Sequence, residues 1–480
     1  MDFAPLRQRR MNTADRPYIT SIPWSASALI ALTLMLGACA AGPQFQEPAA
    51  KFQGRISVVD TPQVIPGAPV KIAGRGFVPG QQVQLTYAGT ALGAPATADA
   101  EGNFRTEFAI PGDAPAGQHP VVVNATRPVA AVVHPLKVSP NVPLSGQEQF
   151  NLTSQPLVQG LYQVAYSARN DRLYVTSAVG RPPVKQSTLL KVHPQTLAIE
   201  AQATPKEVPQ QAGQQRAPGV FAVYGVAVDD ANDTLWVTNT RQDTVAVYRQ
   251  ADLSLVKQFE VGSVAHSRDV VVDAARGKAF ASAAGAPLIK VFDTKTLQPL
   301  PDIKLETTVK GPDAKPFSPF SLAFDALTGK LYTVSLNSAE VAVIDTTSGR
   351  VEKVFVVDSA QSTIGVAYDP KTRRLFVAAQ GSDNLLIVDP ATGKTLHNVL
   401  VGAGTHNVAV DSARGQVYVS NRGAGTVTVV SVDGKIIANL PGGTFPNHVA
   451  GDGKGTFYAI NKSRGADDPQ GDRITRIAPR

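Results

Sequence analysis

Short apolar strands, all but the first ending in aspartate, recur along the last two-thirds of the chain. Each opens a unit of the same form: a strand, a tight turn, a second strand, a third strand, and a fourth that leads into a glycine loop. The first strands begin 62, 44, 52, 44, 42 and 41 residues apart. A period in the forties with four short strands is typical of β-propeller blades. The seven first strands are 164–167, 226–229, 270–273, 322–325, 366–369, 408–411 and 449–452.

The second strands repeat in phase, as in LYVTS at 173–177, LWVTN at 235–239 and VYVSN at 417–421. After residue 452 the chain has room for only two more strands, the last at 473–477. The segment near 148–153 is therefore predicted to supply the missing outer strand, which would close the ring and leave no open edge. The fold class expected is all-β: a seven-bladed β-propeller with a small N-terminal β-sandwich.

The sandwich is predicted from alternating strands in residues 55–140, separated by turn clusters at 74–80 and 101–103. The turn GRGFVPG followed by VQLTY resembles bacterial Ig-like modules, and no helix follows that would make a nucleotide loop. The proline-spaced segment 135–143 is interpreted as a linker. The expected domains are a signal peptide at 1–38, a flexible tether at 39–54, the Ig-like sandwich at 55–140 and the propeller at 149–480.

Cys39, the one cysteine of the chain, indicates in which cellular compartment the protein is located. It follows a basic segment and an apolar run, 26–36, that is too short to span a bilayer. Leu36-Gly37-Ala38-Cys39 resembles the bacterial lipobox, which implies cleavage before a diacylated cysteine and a membrane partner through the lipid. Ala40 implies transfer to the outer membrane, so we expect a lipid-anchored envelope protein facing the periplasm. The alternatives are an uncleaved anchor and a cytosolic protein with a chance apolar run.

Charge changes this picture only slightly. The net charge is +7, and removal of residues 1–38 leaves 41 basic against 36 acidic side chains. An anionic partner is compatible with that excess, but the excess by itself is too small to indicate nucleic acid. A single cysteine leaves none for a disulfide, a cysteine zinc site or a c-type haem, and no cofactor is expected.

The repeat phrase LWVTN…DTVAVY…VKQFEVG…VAVD resembles the YVTN repeat of bacterial propellers over about residues 149–480. It is similar to the YncE-type periplasmic propellers, which fit at 226–238, 267–273 and 472–477. The resemblance implies a secreted, non-enzymatic binding propeller, with single-stranded DNA binding implied for some members. The same repeats serve lactonases, haem-dependent reductases and adhesion surfaces, so the resemblance identifies no ligand.

A candidate site can be read from the repeat register, because propeller ligands usually lie at the mouth of the central channel. Two residues before each first strand, symmetry places one ring of side chains around that mouth. Aromatic faces beside cations suit a nucleobase, a quinone-like ring or an anionic glycan. Alternatively, the apolar members close the channel by packing and the polar ones bridge neighbouring blades. The ring is Tyr162, Tyr224, Arg268, Phe320, Ile364, His406 and Asn447, and His448, Arg241 and Arg422 from adjoining positions complete the ligand-binding candidates.

Loops on the propeller face that carries the channel mouth add cations such as Lys462 and Arg464. Their positive charge is partly offset by Glu340, Asp383 and Asp468. His266, His406 and His448 would form a zinc site only if their loops converge, and no metal site is predicted. The aspartates that end the first strands are explained by Asx turns rather than by catalysis.

Three functions remain open. The first is a non-enzymatic lipoprotein, expected to be monomeric, whose channel mouth binds an anionic or aromatic ligand, single-stranded nucleic acid, a glycan or a protein partner. The second is a lactonase-like hydrolase that uses the same face. The third is a protein-binding scaffold in envelope assembly.

Overall fold

The computed structural model describes Phe45, residues 47–49, 52–210 and 218–480. Cys39 and the segment predicted to be a signal peptide lie outside the described residues. The chain divides into two compact units, Met1–Pro48 and Ala49–Arg480, and the strands of the described residues all belong to the second unit. No helix in the described part of the chain combines the length and apolarity needed to cross a membrane.

Residues 55–138 form two antiparallel sheets around one core. The sheet orders are β1-β2-β5 and β4-β3-β6-β7. Alternation explains the packing: Val121, Val123 and Ala125 of β6 are buried while their neighbours are more exposed. Phe77 contacts Phe104 edge to face, with ring centroids 4.9 Å apart. The strands are β1 Arg55–Val59, β2 Pro69–Arg75, β3 Gln82–Tyr87, β4 Thr90–Thr97, β5 Phe104–Ala109, β6 Gly117–Thr126 and β7 Ala130–Val138.

The interpretation of 135–143 as a linker is wrong for its first part. Pro135 belongs to β7, where it lies opposite Pro120 of β6. Because β7 is an edge strand, its proline removes no hydrogen bond that the sheet needs. The rest of the segment also contacts the propeller, since the Asn439 amide donates a 2.9 Å hydrogen bond to the Val142 carbonyl.

The remaining strands build a β-propeller. Within the described residues, seven four-stranded sheets succeed one another, numbered here sheet 1 to sheet 7. Two short 3-10 helices accompany them, Gln147–Gln149 and Thr240–Gln242. Sheets 1 to 3 contain β9 Leu161–Ser167, β10 Arg172–Val179, β11 Gln186–Val192 and β12 Ile199–Ala203; β13 Val226–Asp229, β14 Thr234–Asn239, β15 Thr244–Arg249 and β16 Leu255–Gln258; β17 Ser267–Asp273, β18 Lys278–Ala283, β19 Leu288–Asp293 and β20 Pro299–Lys304.

Sheets 4 to 7 follow in the same order. They contain β21 Pro319–Asp325, β22 Lys330–Ser335, β23 Glu340–Asp345 and β24 Arg350–Val356; β25 Thr363–Asp369, β26 Arg374–Ala379, β27 Asn384–Val388 and β28 Thr395–Leu400; β29 Thr405–Asp411, β30 Gln416–Asn421, β31 Thr426–Ser431 and β32 Ile436–Pro441; β33 Pro446–Gly451, β34 Phe457–Asn461 and β35 Arg473–Pro479, joined by β8 Phe150–Pro156.

The first strands of neighbouring sheets contact one another in cyclic order, and β33 of sheet 7 returns to contact β9 of sheet 1. Ring closure follows the sequence prediction: β8 pairs antiparallel with β35 as the outer strand of sheet 7, from Phe150 opposite Pro479 to Pro156 opposite Arg473. The apolar cores lie between adjacent sheets, as where Trp236 and Val247 of sheet 2 pack with Val270 and Phe292 of sheet 3. Burial between sheets therefore holds the ring together.

The aspartate turns are confirmed as local structure. Asp229 accepts hydrogen bonds from the backbone N–H groups of Ala231 and Asn232, each at 3.2 Å. Asp273 and Asp411 accept equivalent bonds from the residue three positions on. An Asx hydrogen bond therefore accounts for the repetition of these carboxylates.

The N-terminal sheets contact the propeller on the face formed by the loops between second and third strands. Asp383, in the loop between β26 and β27, accepts hydrogen bonds from Lys137 Nζ at 2.7 Å and Ser139 Oγ at 2.6 Å. The same carboxylate accepts the Gly404 N–H at 2.7 Å, and the Gly404 carbonyl accepts the Arg422 N–H at 2.9 Å. A continuous polar chain thus joins the N-terminal sheets to a cation of the candidate site.

Candidate ligand site at the channel mouth

The seven ring positions occupy equivalent places in the propeller. Six lie in the first strands of their sheets, and Tyr224 lies two residues before β13, where its N–H donates to the Thr238 carbonyl at 2.9 Å. Ile364 is buried and apolar. The repeat therefore places these side chains at the same level, and their contacts show which of them meet.

Arg268 brings three aromatic side chains of the ring into one cluster. Its guanidinium carbon lies 5.2 Å from the ring centroid of Tyr162 and 4.8 Å from that of Phe320. Tyr162 in turn contacts Tyr224 edge to face at 4.4 Å. The Arg268 side chain is buried, and its Nη1 has no hydrogen-bond partner among the described residues. Sheets 1, 2, 3 and 4 thus meet at one cation.

Arg422 and Asn447 connect the other side of the mouth. Arg422 Nη1 donates to Asn447 Oδ1 at 2.6 Å, and Asn447 Nδ2 donates to the Tyr162 carbonyl at 2.6 Å. This chain crosses from sheet 6 through sheet 7 to sheet 1. Burial lowers the pKa of the Arg422 guanidinium, which nevertheless stays charged at neutral pH because arginine titrates far above it.

Arg241 reaches the ring from the loop after β14. Its Nε donates a 3.3 Å hydrogen bond to the hydroxyl of Tyr224. Burial raises the pKa of that phenol, and the Arg241 contact opposes the rise. These contacts join five of the seven ring residues, Tyr162, Tyr224, Arg268, Phe320 and Asn447, with Arg241 and Arg422 in one cluster.

His406 and His448 are neutral groups of the channel wall. Burial, followed by the charge of Arg268, holds the pKa of His406 well below its ordinary value and lowers that of His448 to about 3. Neither ring nitrogen of His406 has a partner among the described residues, whereas His448 Nδ1 accepts the Val164 N–H at 3.4 Å. His266 is exposed, and the described residues contain no cluster of three or more His, Cys, Asp or Glu side chains arranged to hold a metal.

Lys462 is a site residue whose importance the sequence does not reveal, since the repeat register places it only among the surrounding loops. Its Nζ lies 4.0 Å from the ring centroid of Tyr162. Burial, and then the charges of Arg422 and Arg268, lower the pKa of this ammonium to about 7. The available signal is its position directly after strand β34, which corresponds to Arg422 after strand β30.

A second tier of polar side chains, one residue further along the first strands, is also absent from the sequence prediction. Gln163 Oε1 accepts the Val226 N–H at 2.9 Å, Asp269 Oδ2 accepts the Leu322 N–H at 2.9 Å, and Asn407 Oδ1 accepts the Val449 N–H at 2.9 Å. Each donor belongs to another sheet of the ring. Because neighbouring first strands are not hydrogen-bonded into one sheet, side chains satisfy N–H groups that would otherwise be orphaned.

Asp269 of this tier directly follows Arg268 in the sequence. Burial in the channel wall is the leading cause that raises its pKa, while the Leu322 N–H and the charge of Arg268 oppose the rise. Its oxygens also accept hydrogen bonds from Gln163 and Val270. The Asp269 carboxylate thus hydrogen-bonds to groups of the channel wall. It forms no salt bridge with Arg268 in the described part of the chain.

Positive charge at the mouth is consequently not neutralised locally. Within residues 52–210 and 218–480, none of Arg241, Arg268, Arg422 and Lys462 forms a salt bridge. Two acids expected to offset them are engaged elsewhere: Glu340 accepts hydrogen bonds from Thr307, Thr308 and Ser338, and Asp383 pairs with Lys137.

The cluster continues outward at the edge of sheet 7, toward Arg422 of sheet 6 on one side and toward sheet 1 on the other. Phe445 contacts two guanidinium groups, with the carbons of Arg422 and Arg464 each 5.3 Å from its ring centroid. A cavity of about 180 Å³ adjoins this edge, and its lining includes Lys462, Ser463, Arg464 and Asp472. Lys462 therefore belongs both to the mouth and to this side cavity.

Comparison with known proteins supports the fold. The chain is 25% identical over 337 residues to the uncharacterized protein YncE of Salmonella typhi, covering 67% of this chain and 88% of that protein. Against the uncharacterized YncE of Escherichia coli K12, identity is 25% over 253 residues, which is 50% of this chain and 65% of the relative. No protein-family model matches.

Solved structures with the same architecture include virginiamycin B lyase from Staphylococcus aureus, at a TM-score of 0.51 and 12% identity, covering 68% of this chain and 99% of that chain. The Cps50 (Swd1) β-propeller domain from Myceliophteria thermophila gives a TM-score of 0.51 and 12% identity over 69% of this chain and 100% of that chain. At identities this low, the similarity supports a common fold and says nothing about function. Together these similarities support a YncE-type β-propeller.

Proposed function

We propose that this protein is a non-enzymatic envelope lipoprotein whose propeller binds an anionic ligand at the channel mouth. The observation that carries the proposal is the set of four cations, Arg241, Arg268, Arg422 and Lys462, gathered around aromatic rings without a salt bridge among the described residues. Removing cations from water without pairing them is costly. A bound anion would offset that cost, so this mouth favours anions.

The rings define what kind of anion fits. Tyr162 and Tyr224 already pack edge to face, and Arg268 already covers faces of Tyr162 and Phe320. Few free aromatic faces remain on which successive bases could stack. A compact anion, or a single anionic substituent of a nucleotide or acidic glycan, therefore suits the site better than a run of nucleotides.

The setting of this site is part of the proposal. We interpret the seven sheets as seven blades, the N-terminal sheets as an Ig-like module, and Cys39 as the lipidated residue that anchors the chain to the outer membrane facing the periplasm. The domain limits are those predicted: 1–38, 39–54, 55–140 and 149–480. The cyclic contacts of the first strands support the seven-bladed interpretation, and the shared core of residues 55–138 supports a separate N-terminal module.

Titration of the soluble chain that begins after the predicted lipid attachment site tests the function. Inorganic phosphate, acidic oligosaccharides and short single-stranded oligonucleotides are compared by calorimetry at two salt concentrations. Arg268→Met should weaken binding of the responsive anion about tenfold or more, because charge-assisted contacts are the stronger ones. Arg350→Met, at the exposed first position of β24, is the matched control. Equal affinity of the wild type and Arg268→Met for the responsive anion would contradict the proposal that the anion binds at the channel mouth.

The lactonase-like alternative ranks lower for a specific reason. A His–carboxylate pair needs a histidine whose pKa lies near the operating pH, and burial together with Arg268 holds the pKa of His448 at about 3. A scaffold role in envelope assembly stays a prediction that crosslinking in cells would test, through a discrete protein partner.

A further inference from the structure

Lys462 differs from the other cations of the mouth because its charged atom is also a potential nucleophile. In the described residues its Nζ makes no hydrogen bond and no salt bridge, and its close contact is the face of Tyr162 at 4.0 Å. Asp472, whose charge acts on Lys462, instead accepts the backbone N–H groups of Gly160 and Ser463. The amine is therefore held in place by packing rather than by a carboxylate.

A cavity lies beside Lys462, at the boundary between sheets 7 and 1. The cavity that Lys462 lines measures about 180 Å³, roughly six times the ~30 Å³ that one water occupies in the liquid. That volume suits a ligand of about half a dozen non-hydrogen atoms. Arg464 lines the same cavity, and Arg422 shares the Phe445 ring with it. An anionic substituent would thus find guanidinium groups near the amine.

We propose that Lys462 captures small carbonyl compounds that carry a carboxylate, such as α-keto acids, as a reversible imine. This inference rests on the proposed function, since the guanidinium groups of the mouth would hold the carboxylate. In the reaction the neutral amine attacks the carbonyl carbon and a C–N bond forms. The nitrogen then gives up its two protons to the carbonyl oxygen, which leaves as water, and a C=N bond remains. No oxidant or reductant is consumed.

The electrostatics of the cluster favour the neutral amine that this chemistry needs. Burial and the neighbouring guanidinium groups bring the pKa of Lys462 to about 7. About half of the amine is then neutral at pH 7, on the order of a thousandfold more than for an ordinary lysine. The groups that act on it are Arg422, Arg268 and Arg241, which lower its pKa, and Asp472, which raises it.

Reductive trapping tests the inference on the full-length chain in mild detergent. Pyruvate is added with borohydride, which reduces an imine to a stable secondary amine, and the modified lysine is located by peptide mass spectrometry. We expect one adduct, at Lys462, at a pyruvate concentration about tenfold lower than for the uncharged pyruvamide. Its yield should rise between pH 6 and pH 8 as the amine loses its proton.

Lys462→Arg keeps the positive charge and should abolish the adduct, whereas the exposed control Lys315→Arg should keep it. An adduct spread over several lysines, or one that persists in Lys462→Arg, overturns the inference. Lactate, which has the carboxylate but no ketone, separates the two proposals. Lactate binding without a pyruvate adduct would support the anion site and contradict imine formation at Lys462. Failure of every anion to bind would contradict both proposals.

Discussion

The contact between the N-terminal sheets and the propeller is predicted to depend on one buried carboxylate. Asp383 has 2% of its side chain exposed and accepts three hydrogen bonds, from Lys137, Ser139 and Gly404. Asp383→Asn removes the charge with almost no change of shape. Asparagine is also well suited to the left-handed backbone at this position, φ 57°, so the change adds no backbone strain.

The magnitude follows from the burial of the partners. Breaking a fully buried ion pair costs about 3–5 kcal/mol. The side chain of Lys137 keeps 32% exposure and can return to water, so we expect about 2–3 kcal/mol for Asp383→Asn. With the compact unit of about 430 residues treated as unfolding in one step, an unfolding entropy of about 2.1 cal/mol/K per residue converts this loss into a fall in Tm of about 3 °C.

Differential scanning calorimetry at pH 7 measures the effect, with Asp313→Asn as the control because Asp313 is an exposed loop carboxylate. Lys137→Met should also destabilise, and the double variant should lose about 1 kcal/mol less than the two single variants together. A Tm for Asp383→Asn within half a degree of Asp313→Asn would refute the reasoning. Fully additive losses would show that Asp383 and Lys137 do not act as a pair.

Two further predictions concern the mouth and the ring closure. Lys462→Met should raise the Tm at pH 6, where the lysine is charged in both folded and unfolded states and its crowding by guanidinium groups costs stability. This advantage should shrink toward pH 9 as the folded state loses the proton above a pKa of about 7, and a difference that is constant across this pH range would contradict it. Phe150→Ala in β8 removes a buried ring that packs near Tyr418 and should cost about 3–5 kcal/mol in urea unfolding. Asn151→Ala, one position along the same strand and exposed, should cost little, and equal effects would argue against β8 as a packed part of sheet 7.

Local and periodic features were readable from the sequence because each depends on residues close together in the chain or on a repeat in phase. The Asx turn at Asp229 follows from the side chain and the next three residues. The position of Tyr162, Tyr224 and Arg268 around one mouth follows from equal spacing to the first strands. The closing strand β8 follows from counting strands in the last repeat, which lacks its outer one.

Through-space features came only from the tertiary structure. Lys137 is read from sequence as a residue of an expected linker, yet it pairs with Asp383, 246 positions away. The charge state of Lys462 depends on burial and on guanidinium groups from sheets 2, 3 and 6, and electrostatic energy follows distance and desolvation rather than sequence spacing. The repeat thus determined which residues lie at equivalent positions around the ring, and the packing of the sheets against one another decided which of them are charged and which are paired.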